Sequence, residues 1–382
     1  MERIKLTSLG QIREADITFG DLTVFVGEQA SGKSILLQLV KLISDAGNIT
    51  QTLKKHGFDW QKKSENFLSL YFGEGMEHIW KNDITQVTVD KVDFTPRKAL
   101  SKRKRDKTFF LIPAHRVVTL KDGWPRSFTD YATSDPFIVK EFSEELRLLM
   151  EKGLGSGEGA IFPQVGRMNK MLRDAIGKSI FGEAEVKLDK SGLRKRIVLD
   201  VSGSQLPFMT WSTGQREFTP LLLGLYWLMP SGKAEKKDNI NWVVIEEPEM
   251  GLHPKAISAL LTVFLELMRR GYKVIVSTHS SQVLELVWAI QYLVKAKAEP
   301  GKLLKVLDLR SNYFSKPLAE VVLGKTFKTY YFSRQDKNVQ VKDISTLDAE
   351  DPDEAVSDFG GLTAFSTKTS EVVSEAMGRA DL

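Results

Sequence analysis

The stretch Leu22-Thr23-Val24-Phe25-Val26-Gly27-Glu28-Gln29-Ala30-Ser31-Gly32-Lys33-Ser34 decides how the rest of the chain is read. Its first five residues are mostly β-formers, and the run stops abruptly at Gly27, as a buried parallel strand does. Behind Ser34, the apolar residues Ile35, Leu36, Leu39, Val40, Leu42 and Ile43 recur at helical spacing. Residues 22–44 therefore read as strand, glycine loop, helix. Between strand and helix, Gly27 to Ser34 matches G-x-x-x-x-G-K-[ST]. Such a loop turns successive N–H groups inward around phosphate, and the following helix adds its positive end. Lys33 would reach the β- and γ-phosphates of ATP, and Ser34 would ligate Mg²⁺.

Three further runs read as buried strands: Phe109-Phe110-Leu111-Ile112, Trp242-Val243-Val244-Ile245 and Lys273-Val274-Ile275-Val276. A helix from Pro254 to Arg270 lies between the last two, and strand–helix–strand alternation implies an α/β layer with a parallel sheet. The second run ends in Glu246-Glu247-Pro248-Glu249. At a strand tip, Glu246 would sit in the Mg²⁺ shell and Glu247 would polarise the attacking water. The third run ends in Ser277-Thr278-His279-Ser280, where His279 would hydrogen-bond the γ-phosphate. Read alone, it is a surface histidine. Trp211-Ser212-Thr213-Gly214-Gln215-Arg216-Glu217 opens another apolar helix. Ser212, Thr213, Gly214 and Gln215 form either a plain helix cap or a second phosphate-binding turn, the latter acting across a dimer.

The 382 residues include no cysteine and five histidines, which excludes a disulfide framework and Cys-ligated zinc and fits a reducing cytoplasm. No run approaches the roughly 20 apolar residues of a membrane span. The net charge of +5 is uneven. Residues 343–382 carry ten acids and two bases, a net of −8, which leaves +13 on residues 1–342. This acidic stretch would dock on another subunit or a partner, or fold back on the body. Asp351-Pro352-Asp353 reads as a solvated acidic turn. Seven bases fall among the eleven residues Arg97 to Lys107. They form either a solvated loop or a DNA phosphate contact through Lys102, Arg103, Lys104 and Arg105. Between these landmarks, helices are expected from Asp135-Pro136 to Lys152 and from Gln164 to Ile180. A hairpin is expected over Val186–Leu188 and Ile197–Val201, turning at Lys190-Ser191-Gly192, and a glycine break at Gly153, Gly155, Gly157 and Gly159.

In order and spacing, the glycine loop, the Ser212 turn, Glu246-Glu247-Pro248-Glu249-Met250-Gly251-Leu252-His253-Pro254 and Ser277-Thr278-His279-Ser280 resemble the ATP-binding-cassette ATPases. Within that class the chain is similar to the soluble chromosome-maintenance and overcoming-lysogenization-defect branch. The resemblance rests on residues 1–45 and 205–290. It implies an α/β ATPase head with a parallel-sheet P-loop core, an antiparallel β subdomain and a helical insertion at about 50–205. Residues 1–342 would form the ATPase domain, with 343–382 an acidic tail. It also implies ATP and Mg²⁺ as cofactors, hydrolysis in a head-to-tail dimer, and Met250 to His253 as the loop between the two sites. Relatives commonly carry Asn-Gly where this chain has Gln29-Ala30, and Ala30 would need an ordinary backbone conformation. Gln86 is a candidate for the glutamine that follows in relatives, and Arg116 sits where they often carry a functional arginine. Long coiled coils, a zinc hook and a Toprim nuclease centre are missing from the pattern. The expectation is an ATPase that works with a separate effector such as a nuclease, resembling in layout the Septu ATPase and the ATPase of the phage anti-restriction-induced system. A DNA repair ATPase acting directly on DNA is the alternative.

Overall fold

The computed structural model describes residues 1–154, 160–190, 195–231, 236–237 and 239–380. Ten strands form the main sheet: β1 (Arg3–Leu9), β2 (Ile12–Thr18), β3 (Leu22–Gly27), β4 (Gln86–Val89), β5 (Val92–Phe94), β6 (Phe109–Ile112), β7 (Trp242–Glu246), β8 (Lys273–Ser277), β9 (Phe327–Gln335) and β10 (Asn338–Asp343). Their order across the sheet is β5-β4-β1-β2-β10-β9-β3-β8-β7-β6. From β9 to β6 every neighbour is parallel, while β5, β4, β1 and β2 form an antiparallel flank. The three apolar runs foreseen as buried strands are buried side by side with β3 in the parallel half. A parallel strand covered on both faces has no solvent side on which to place alternating polar residues. In the register Phe25 pairs with Ser277, and Ser277 with Glu246. The loops after β3, β8 and β7 therefore leave the sheet at one edge, where ligands of such sheets bind.

The P-loop helix runs Lys33–Lys55, past the expected end, with a kink at Asp45. There the Asp45 carboxylate accepts from Thr108 N and Oγ1 (both 3.0 Å) and from Phe109 N (3.2 Å), pinning the helix to the start of β6. Beside it lies a buried ionic knot. Lys41 Nζ meets Glu141 Oε2 at 2.8 Å, and Lys107 Nζ meets Glu141 Oε1 at 3.2 Å and Glu145 Oε1 at 3.0 Å. Lys41 is fully buried. Replacing it with methionine leaves Glu141 with Lys107 alone and removes the only ammonium within ion-pair distance of the buried Asp45 carboxylate among the described residues, so Lys41→Met is expected to lower the unfolding free energy in urea by about 3 kcal/mol.

Several expectations need correction. The span 50–205 is not one insertion, because β4, β5 and β6 from within it join the main sheet. Outside the main sheet lie a three-stranded antiparallel sheet (Glu185–Asp189, Arg196–Val201, Ser204–Pro207) and two helices: Phe137–Glu151, whose Phe142 packs on Phe110 of β6, and Lys170–Ile176. The second helix is shorter than foreseen. Asn169 caps it, and it passes into a π-helical turn at Gly177–Phe181. Residues 155–159 and 191–194, which hold most of the glycine break and the expected hairpin turn, lie outside the described residues. Nor is 343–382 one appendage. Ile344, Leu347, Val356 and Phe359 are buried in the core, while Asp343 and Asp353 lie on the surface against Lys328 and Lys342. Despite the charge of this stretch, these four spaced apolar residues hold it against the core. In the closing helix Ala364–Ala380, residues 365–377 are exposed. No helix among the described residues is long and apolar enough to cross a membrane.

Candidate nucleotide site

β3 delivers the chain to Gly27, whose φ is +143°. A Cβ there would lie 2.7 Å from the Phe332 carbonyl, so only glycine fits. Ala30 does not keep an ordinary backbone conformation. Its φ is +54°, in the left-handed region. Its carbonyl is held from outside the loop by Arg334 Nη2 at 2.9 Å and by Gln11 Nε2, and Arg334 also donates to Gln29 O at 3.0 Å. Gln11 and Arg334 carry no local sequence signal. They arrive from the β1–β2 turn and the end of β9, and only the strand order brings them to the loop.

Lys33 Nζ lies within the loop, donating to Gly27 O and Glu28 O (2.7 Å each) and to Ser31 Oγ (3.3 Å). Burial pushes its ammonium down to about 8, against the attraction of Glu247, Glu249 and Glu28. The loop borders a cavity of about 510 Å³ whose lining includes Lys33, Ser34, Gln11, Glu247 and His279.

The two adjacent glutamates have opposite environments. Glu246 is buried, and burial raises its carboxyl to about 7, opposed by the Ala114 N–H and the Ser34 hydroxyl. Ala114 N donates to Oε2 at 3.1 Å, while Oε1 has no partner. A buried, unpaired carboxylate oxygen beside a serine hydroxyl fits a hard divalent cation such as Mg²⁺, with phosphate and water completing the shell. When bound, the ion would neutralise phosphate charge. Among the described residues no cluster of three His, Cys, Asp or Glu offers a protein-only cage.

Glu247 is half-exposed, with Oε1 3.7 Å from His279 Nε2. Its interaction with His279, and then the charge of Lys33, hold the carboxyl below its usual range. It is therefore ionised near neutral pH and able to take a proton. Glu249, quoted in the motif without a role, ties the neighbouring loop. Its Oε1 accepts from Thr278 Oγ1 at 2.8 Å and from His279 N at 2.6 Å.

The remaining candidates lie elsewhere. Ser212 caps the helix Thr213–Leu228, and a capping box links its side chain to Gln215. These turn residues do not line the P-loop cavity of their own chain. Gly214 packs on the loop after the glutamates, where a Cβ would meet Gly251 O at 2.7 Å. Gln86 belongs to β4, paired with Thr7 on the antiparallel flank and away from the cavity. The loop that meets Glu246 is instead the one after β6, carrying Ala114 and Arg116. Lys102 is committed to the fold, donating to Ile43 O at 2.8 Å and lying over Phe94. Arg103, Lys104 and Arg105 are exposed.

Residues 173–285, which contain the Ser212 turn, the glutamate pair and His279, match the family model described as "AAA domain, putative AbiEii toxin, Type IV TA system". The matched stretch is less than a third of the chain. The Old nuclease of Escherichia phage P2 is 35% identical to this chain over 68 residues, which make up 18% of this chain and only 12% of that protein. Among solved structures, the chain is similar to an SmcHead bound to the C-winged helix domain of ScpA (TM-score 0.43, 11% identity, 90% of this chain and 96% of that one). The SMC head domain from Thermotoga maritima matches with a TM-score of 0.36 and 13% identity over 90% of this chain and 98% of that one.

Proposed function

We propose that the chain is an ATP-driven switch. ATP with Mg²⁺ binds in the P-loop cavity, two copies close head to tail over it, and hydrolysis reopens them. Gly27 to Gly32 cradle the phosphates, Lys33 pairs with them, and Ser34 and Glu246 hold the metal. Glu247 accepts the proton of the attacking water, and His279 reads the γ-phosphate. Ser212, Thr213, Gly214 and Gln215 of one copy complete the site of the other. The observation that carries this reading is the meeting of Lys33, Ser34, Glu247 and His279 on one cavity, with the Glu246 carboxyl buried beside Ser34. The test is steady-state ATP turnover by the purified chain with Mg²⁺. No turnover, alone or with a co-purifying protein, would sink it.

The switch acts with a separate effector such as a nuclease in a bacterial anti-phage defence complex. Two likenesses support this reading: the matched family is described for a toxin, and the curated relative is named a nuclease.

One observation favours the second reading, an ATPase acting directly on DNA. Arg103, Lys104 and Arg105 are exposed in succession, and no ion pair engages them among the described residues. If they touch DNA phosphates, replacing all three with glutamine weakens binding regardless of DNA sequence. It also flattens the slope of log affinity against log salt by roughly 1 per lost contact. DNA-stimulated ATP turnover that vanishes in this variant would establish direct action. An unchanged salt slope would remove the loop from consideration.

A further inference from the structure

Arg116 is fully buried, yet no carboxylate oxygen accepts a hydrogen bond from it. Its guanidinium instead spans three backbone carbonyls from two distant parts of the chain. Nε donates to Glu217 O at 3.0 Å, in the helix opened by Ser212. Nη1 donates to Glu246 O at 3.0 Å and Nη2 to Glu247 O at 3.1 Å, at the tip of β7. The negative charges of Glu217, Glu249, Glu247 and Glu246 surround it. A buried cation is costly unless hydrogen-bonded, and here all three guanidinium nitrogens donate, tying two elements together.

The element so tied is strained. Glu247 has φ +42°, a left-handed conformation that a non-glycine residue adopts only when its surroundings impose it. Three hydrogen bonds engage its backbone: its N–H donates to Ser277 O at 2.9 Å, and its carbonyl accepts from Arg116 Nη2 at 3.1 Å and from Met250 N, one local turn on, at 3.1 Å. The first belongs to the sheet edge. The second depends on where the Ser212 helix sits. A second contact joins the same two elements, since the loop after Glu247 packs at Gly251 against Gly214.

We infer that Arg116 is a positioning residue that makes the placement of Glu247 follow the Ser212 helix. A phosphate group engaging Ser212 to Gln215 would then set the carboxylate that activates water. The inference rests on the ATPase reading for its functional meaning, and on geometry alone for the coupling.

Arg116→Lys tests it in the full chain. Lysine keeps the charge, but one ammonium cannot fork to three carbonyls on two elements. Hydrogen exchange is measured at the amides of residues 247–251 and at those of the P-loop, 27–34. The expected result is exchange about tenfold faster in the first segment, with the second unchanged. In steady-state assays kcat is expected to fall about 100-fold, the cost of misplacing a reacting group by about 1 Å. KM for ATP is expected to stay within about threefold, because phosphate binding belongs to the P-loop. Unchanged exchange at 247–251 would overturn the inference. So would exchange accelerated equally in both segments, which marks general loosening. A wild-type chain without ATP turnover would sink the ATPase reading instead, and the exchange comparison would still decide the role of Arg116.

Discussion

Lys33→Ala is expected to abolish ATP binding, reducing affinity by about 100-fold or more in calorimetric titration. A charge-assisted bond to phosphate inside a partly desolvated loop contributes several times what an exposed pair does. In the structure Nζ already sits among Gly27 O, Glu28 O and Ser31 Oγ. The loop is therefore shaped around a cation, and alanine removes both the ligand of the phosphates and the group that holds the loop carbonyls inward. A pH signature accompanies the loss. Burial lowers the Lys33 ammonium to about 8, and phosphate binding requires the charged form. Wild-type affinity is accordingly expected to be level below pH 8 and to fall as pH rises through that value. Lys33→Ala should show no such fall. Tight ATP binding by Lys33→Ala would refute the site.

Glu247→Gln is expected to bind ATP as the wild type does and to turn it over 10²- to 10⁴-fold more slowly, the usual contribution of a general base. Glutamine preserves the shape beside His279 and removes only the basic oxygen. Glu247 suits the role because it is half-exposed to the cavity and held ionised. Glu246, one residue earlier, is raised to about 7 by burial and is placed to bind a cation. With the base gone and binding intact, ATP should hold the closed assembly, visible as a species of doubled mass in sizing experiments. Wild-type kcat in this variant would refute the assignment. A large drop without any larger species would leave Glu247 as base and count against closure of two copies.

The contrast between these two residues shows where sequence reading stopped. Both glutamates were legible as candidate site residues, because they stand at the tip of an apolar strand in a chain that also carries a glycine loop. Their order of roles followed from position. Their protonation behaviour did not, because it depends on how deeply each carboxyl is buried and on partners from distant loops, the Ala114 N–H at Glu246 and His279 at Glu247. Arg116 was noticed, but nothing in its own neighbourhood foretold a fully buried clamp on three carbonyls. The basic stretch divides in a way its composition does not show: the Lys102 and Lys107 ammonium groups are tied into the fold, while Arg103, Lys104 and Arg105 are exposed. The apolar members of the acidic stretch were outweighed by its charge, although the core holds Val356 and Phe359.

By itself the sequence determined the strand–loop–helix at Leu22 to Ile43, the buried strands and which side chains stand at their tips. These follow from local rules: β-formers without polar alternation make covered strands, and glycines at Gly27 and Gly32 permit backbone that other residues resist. The tertiary structure alone decided that β8 lies between β3 and β7, which brings His279 to Glu247. It also placed Gln11 and Arg334 on the P-loop and joined the Ser212 helix to Glu247 through Arg116. Those facts depend on the order of strands in the sheet. That order is set by how the whole set of apolar faces packs together, and no local stretch of residues encodes it.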